Sequence, residues 1–91
     1  MLKKNEYMKM LLHTYDPMGW KRLVDRCRSC SASYPGIPGE YAVVIATILG
    51  EQGASWVDSC IDSLNNYSPR ELLESRSGRI ILKMFLLRMH I

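Results

Sequence analysis

An all-α domain, a small helical bundle of five to six helices, is the fold class this sequence predicts, on three observations. Prolines follow directly on strong N-cap residues at Asp16-Pro17 and Ser68-Pro69. There a missing N–H costs nothing and a fixed φ already suits a helix. Apolar residues recur at helical spacing, as in Trp20, Leu23, Val24 and Cys27 at i, i+3, i+4 and i+7. Apolar residues make up 47% of the 91, enough for one packed core and too many for general disorder.

Taken in order, Leu2 to Tyr15 reads as an amphipathic helix, with Tyr7, Met8, Leu11 and Leu12 set among lysines. Asp16 caps the second helix, whose charges Lys21, Arg22, Asp25, Arg26 and Arg28 lie mostly off its apolar face. Tyr34-Pro35-Gly36-Ile37-Pro38-Gly39 holds two prolines and two glycines in six residues and breaks regular structure. Glu40 to Leu49 is apolar all round. Its β-branched residues suit a strand, but its length and helical neighbours favour a buried helix ended by Gly50. Gln52 to Leu64 places Trp56, Val57, Cys60, Ile61 and Leu64 on one face, which predicts an amphipathic helix.

The sharpest local signal is Ser68-Pro69-Arg70-Glu71-Leu72-Leu73. Ser68 can accept from the first turn's N–H groups while Glu71, three residues on, reaches back to the cap. Ser77-Gly78 is expected to stop this short helix and can start the next one. The last helix, Arg79 to His90, is apolar on nearly every side and is expected to present part of its surface to a partner.

Three cysteines argue against a disulfide framework and for a reducing, cytoplasmic setting. Cys27-Arg28-Ser29-Cys30 is a lone C-x-x-C. Cys60, His13 and His90 do not complete it at ligand spacing, so neither metal nor cofactor is expected. With no run of about 18 apolar residues, nothing is expected to span a membrane, and the mixed N-terminus does not read as a signal peptide. Charge is uneven: residues 1–34 carry seven basic and three acidic side chains, residues 35–66 four acidic and none basic, residues 67–91 five basic and two acidic. This layout suits self-association or an oppositely charged partner, and Lys21, Arg22, Arg26 and Arg28 could touch nucleic acid weakly.

From Trp56 onward the chain reads W-V-x-S-x-x-x-S-L-N-N-x-S-P-x-E-L-L-E-S-x-x-G-x-x-x-L-x-x-x-L-x-R-M. Residues 56–89 thus resemble the C-terminal toxin-binding domain of the Xre/MbcA/ParS group of bacterial antitoxins. Trp56, Val57, Leu64, Pro69, Glu71, Leu72, Leu73, Gly78, Leu82, Leu86, Arg88 and Met89 fall at that group's motif spacings without a gap. Asn65-Asn66 stands where the group has Gly-Gly, a replacement the left-handed region tolerates. The proline usual after Trp-Leu-x-Ser is replaced by Cys60, and the residues before Gly39 are too few for the DNA-binding domain that many members carry.

The resemblance implies a non-catalytic protein that neutralises an NAD-degrading or ADP-ribosylating toxin by occluding it. On this reading residues 1–91 form one helical domain: basic helices over 1–34, a Pro/Gly loop over 35–39 and the antitoxin-like region over 40–91. Contacts are expected at Arg70, Arg76, Arg79, Lys83, Arg88, His90 and Ile91, with Trp56, Leu72, Leu73, Leu82, Phe85 and Leu86 as core. The sequence shows no Ser/His/Asp set and no glycine-rich phosphate loop, so no enzyme is expected. Two other classes fit as well: a phage- or mobile-element-encoded inhibitor of a host complex, and a minimal DNA-binding regulator. A homodimer could also bury the apolar excess.

Overall fold

The capping box around Ser68 forms in full. The Glu71 N–H donates to the Ser68 hydroxyl at 3.2 Å, and the Ser68 N–H donates to the Glu71 carboxylate at 3.0 Å. Ser68 is buried, so the cap is a joint of the interior. Ser68→Ala is expected to cost about 1–2 kcal/mol, read as a lowered urea midpoint.

This is a computed structural model; it describes residues 2–90, with side chains described from residue 2 to residue 89. Six α-helical segments follow one another: α1 (Glu6–His13), α2 (Pro17–Cys27), α3 (Gly39–Leu49), α4 (Gly53–Trp56), α5 (Pro69–Leu72) and α6 (Arg76–His90). Gly50–Gln52 and Asp62–Leu64 form 3-10 turns. The described residues contain no strand, only an isolated antiparallel bridge between Ile61 and Tyr67. The fold is all-α.

Several ends fall where local chemistry sets them. Asn5 caps α1, accepting from the Met8 N–H at 2.8 Å, so this helix starts later than its apolar pattern. Asp16 caps α2 by accepting from the Gly19 N–H at 2.9 Å, with Pro17 behind it. The Glu40 to Leu49 stretch is a helix, ended by Gly50 at φ +58°.

Two expectations fail. Gln52 to Leu64 is not one helix: after the single turn of α4 the chain bends, extends at Ile61 and closes a turn into Tyr67. The serines explain part of this, since the Ser55 and Ser59 hydroxyls donate back to the carbonyls of Gln52 and Ser55 at 3.1 and 3.0 Å. Tertiary pairing explains the rest. The Val57 carbonyl accepts from the Arg70 N–H at 3.0 Å, and the Ile61 N–H donates to Tyr67 at 3.1 Å. Val57 and Leu64 are buried, whereas Cys60 is exposed.

The second failure is in part: Ser77-Gly78 lies in the first turn of α6, so it belongs to the start of the next helix and does not stop α5. The corner is at 73–75, where Ser75 accepts from the Gly78 N–H at 2.9 Å. Gly78 lets α6 approach the end of α5, because a Cβ there would overlap the Leu72 carbonyl.

The helix α6 is the axis of the bundle, packed by α1, α2, α3 and α5. Ile81, Leu82, Met84 and Leu86 are buried, and among its described apolar side chains only Met89 is exposed. The chain therefore covers most of the apolar surface that was expected to need a partner. Burying a Leu or Met side chain is worth about 1.5–3 kcal/mol, so this helix carries much of the stability. Asn65 and Asn66 do take left-handed φ, +57° and +63°. Asn65 also donates to the Lys3 carbonyl at 3.1 Å, tying the N-terminal segment to this turn.

Candidate protein-binding surface

With its apolar sides covered, α6 offers one polar row. Arg76 and Arg79 are exposed and Lys83 is half-buried, at i, i+3 and i+7 on one side of the helix. None of the three is in an ion pair among the described residues. Their stems rise from a helix whose opposite side is the core, so they are held at fixed spacing.

The other expected contact residues do not join this row. Arg70 is tied down along the surface: its Nε donates to Asp58 Oδ1 at 2.7 Å and its Nη1 to the Pro35 carbonyl at 2.6 Å. It braces the Pro/Gly loop against the segment before α5, a tertiary role with no local sequence signal. Arg88 leans over α1, with Nη2 3.3 Å from Met10 Sδ. The His90 side chain and Ile91 lie outside the described residues. Of the expected core set, Leu72, Leu82 and Leu86 are fully buried. Trp56, Leu73 and Phe85 are half-buried, Phe85 stacking on Trp56 at 6.4 Å and meeting the Tyr7 ring at 6.3 Å edge-on.

Lys21, Arg22 and Arg26 on α2 and Arg28 at its C-cap are all exposed, but they divide. Lys21 and Arg28 border the seam between α2 and α3, while Arg22 and Arg26 lie outside that seam. Arg28 already pairs with Asp25 at 2.8 Å. The helix α1 packs chiefly on α6 and α2 chiefly on α3, unlike a helix-turn-helix unit, where the paired helices pack on each other.

Behind the seam lies an aromatic joint. The Trp20 ring sits 5.4 Å from that of Tyr41, and the Trp20 indole N–H donates to Glu40 Oε1 at 2.8 Å. Burial pushes the Tyr41 hydroxyl well above its ordinary range. The Glu40 carboxylate adds to the rise, Arg79 opposes it and Tyr15 adds a little. An unfolded tyrosine ionises near pH 10, so the stability that neutral Tyr41 contributes is complete below that pH and declines as pH rises above it. Urea midpoints should therefore fall between about pH 9 and about pH 11, and Tyr41→Phe should flatten the fall.

Among the described residues no group of three His, Cys, Asp or Glu is placed to hold a metal ion. Cys27 is buried and Cys30 half-buried. No described helix is long and apolar enough to cross a membrane.

The arrangement is that of a small all-α scaffold presenting a fixed row of cations. Set against protein-family models, curated proteins and solved structures, the chain matches none.

Proposed function

We propose that this chain is a non-catalytic inhibitor that binds another protein, acting as an antitoxin that occludes an NAD-degrading or ADP-ribosylating toxin in the cytoplasm. The observation that carries this reading is the row Arg76, Arg79 and Lys83 on α6. It is unpaired among the described residues and mounted on the most deeply packed helix of the chain. Guanidinium groups held in a row match carboxylates on a partner through paired N–H···O bonds, and arginine is favoured where interfaces concentrate their energy. The resemblance of residues 56–89 to the antitoxin domain would put toxin contact in the same region. Duplex DNA is a weaker fit, because the four cations of α2 divide between two edges and one is paired internally.

The test places a photo-crosslinking amino acid at position 83 in the native host and identifies what it captures. The captured protein, purified, should lose NAD-consuming activity when the chain is added. The double variant Arg76→Glu, Arg79→Glu, folded by circular dichroism, should weaken that inhibition by at least about tenfold, since charge reversal removes a pair and adds repulsion. Undiminished inhibition by the folded variant would move the contact off α6. A captured protein with no NAD-consuming activity would overturn the antitoxin reading.

A further inference from the structure

The seam between α2 and α3 is a second surface, built from residues the α6 row does not use. It holds an open groove with a cavity volume of about 330 Å³, bordered by Val24, Arg28, Gly39, Glu40 and Val43. It continues into a space of about 240 Å³ bordered by Trp20 and Lys21, with Val24, Arg28 and Glu40 shared between the two. The floor is apolar and the α2 wall is cationic.

The order along α2 is specific. Lys21, Val24 and Arg28 fall at i, i+3 and i+7, a basic–apolar–basic row whose cations stand about 10 Å apart along the axis. Opposite them, Val43 supplies a second aliphatic contact. Gly39 supplies none, and a Cβ there would meet nothing within 4 Å, so the groove has room at that end. Lys21 makes no ion pair among the described residues, and Arg28 pairs with the exposed Asp25 through its Nε, which leaves its terminal nitrogens to be shared with a partner. Glu40 is the one acidic wall group, and the Trp20 indole N–H already takes its Oε1.

We infer that this groove docks an acidic amphipathic helix of a partner protein. Two carboxylates about two turns apart on that helix meet Lys21 and Arg28, and an aliphatic side chain between them packs on Val24 and Val43. The carboxylate spacing repeats the i, i+7 spacing of the cations, and two helices with a groove between them are the ordinary seat for a third. Charge complementarity selects the partner's sign, since the lining carries two cations, Lys21 and Arg28, against one carboxylate, Glu40. The placing of Arg22 and Arg26 outside the seam leaves no continuous cationic track for a nucleic-acid backbone. The inference uses residues outside the α6 row and does not depend on it.

The test titrates the full chain against a fluorescein-labelled designed helix that carries Glu residues seven apart with Leu between them. Controls are its Lys-for-Glu counterpart and a DNA duplex. The acidic helix is expected to bind and its basic counterpart to fail. Gly39→Glu should weaken binding by at least about tenfold while leaving the fold intact. Its side chain has space, the backbone there is not left-handed, and an acidic residue suits the first turn of a helix. Lys21→Glu with Arg28→Glu should do the same, whereas Arg76→Glu with Arg79→Glu should leave binding unchanged. Equal binding of the acidic and basic helices, or full affinity in folded Gly39→Glu, would overturn the proposal. So would a duplex that binds more tightly than the acidic helix and is lost in the Lys21, Arg28 double variant.

Discussion

Gly78→Ala is expected to cost about 3 kcal/mol, at the upper end of what forcing one extra carbon into a packed site costs. The reason is backbone against backbone. A Cβ at position 78 would fall on the carbonyl of Leu72, which belongs to the main chain of α5 and cannot rotate away. Relief requires α6 to shift from α5, and α6 carries the buried side chains Ile81, Leu82, Met84 and Leu86. A shift at its first turn is therefore felt along the core. The alanine's better helix propensity, worth about 1 kcal/mol in an unobstructed helix, works in the opposite direction and is outweighed. Urea unfolding gives the measurement, with Ser77→Ala beside it as a control on a half-buried neighbour. An unchanged midpoint for Gly78→Ala would show that the two helices do not meet there.

The adjacent leucines provide the second test. Leu72→Ala is expected to cost about 2–5 kcal/mol, because the side chain is fully buried and its loss leaves a cavity as well as forfeiting burial. Leu73→Ala should cost clearly less, since that side chain is half-buried and its site stays partly open to water. The difference should appear as separate urea midpoints with equal slopes, which marks a change in stability and not in the unfolded ensemble. Equal losses would contradict the orientation of α5.

The leucine pair shows where local reading reaches its limit. Both residues follow the same cap, so nothing in the adjacent chain ranks them. Their ranking depends on which one faces α6. The same holds for Arg70, which has the composition of an interface residue and is instead bound to Asp58 and the Pro35 carbonyl. Those partners lie 12 and 35 residues away. The α2–α3 groove was also out of sight: Val24 and Val43 were legible as apolar positions, but their facing each other follows from the packing of two helices separated by the Pro/Gly loop.

What the sequence determined by itself are the features whose physics is complete within a few residues. The caps at Asp16 and Ser68, proline in the first turn, glycine at the end of α3 and the asparagine turn each satisfy or forbid particular backbone groups locally. They favour helices along the chain and place the starts of α2 and α5 and the end of α3. The tertiary structure decided the features that depend on competition between distant groups. Gln52 to Leu64 had the period of a helix, but its carbonyls and N–H groups found partners on Tyr67 and Arg70. The last helix had too many apolar faces for a surface helix, and four neighbours covered them. A backbone hydrogen bond is worth nearly the same wherever it is made, so position in the fold selects which one forms.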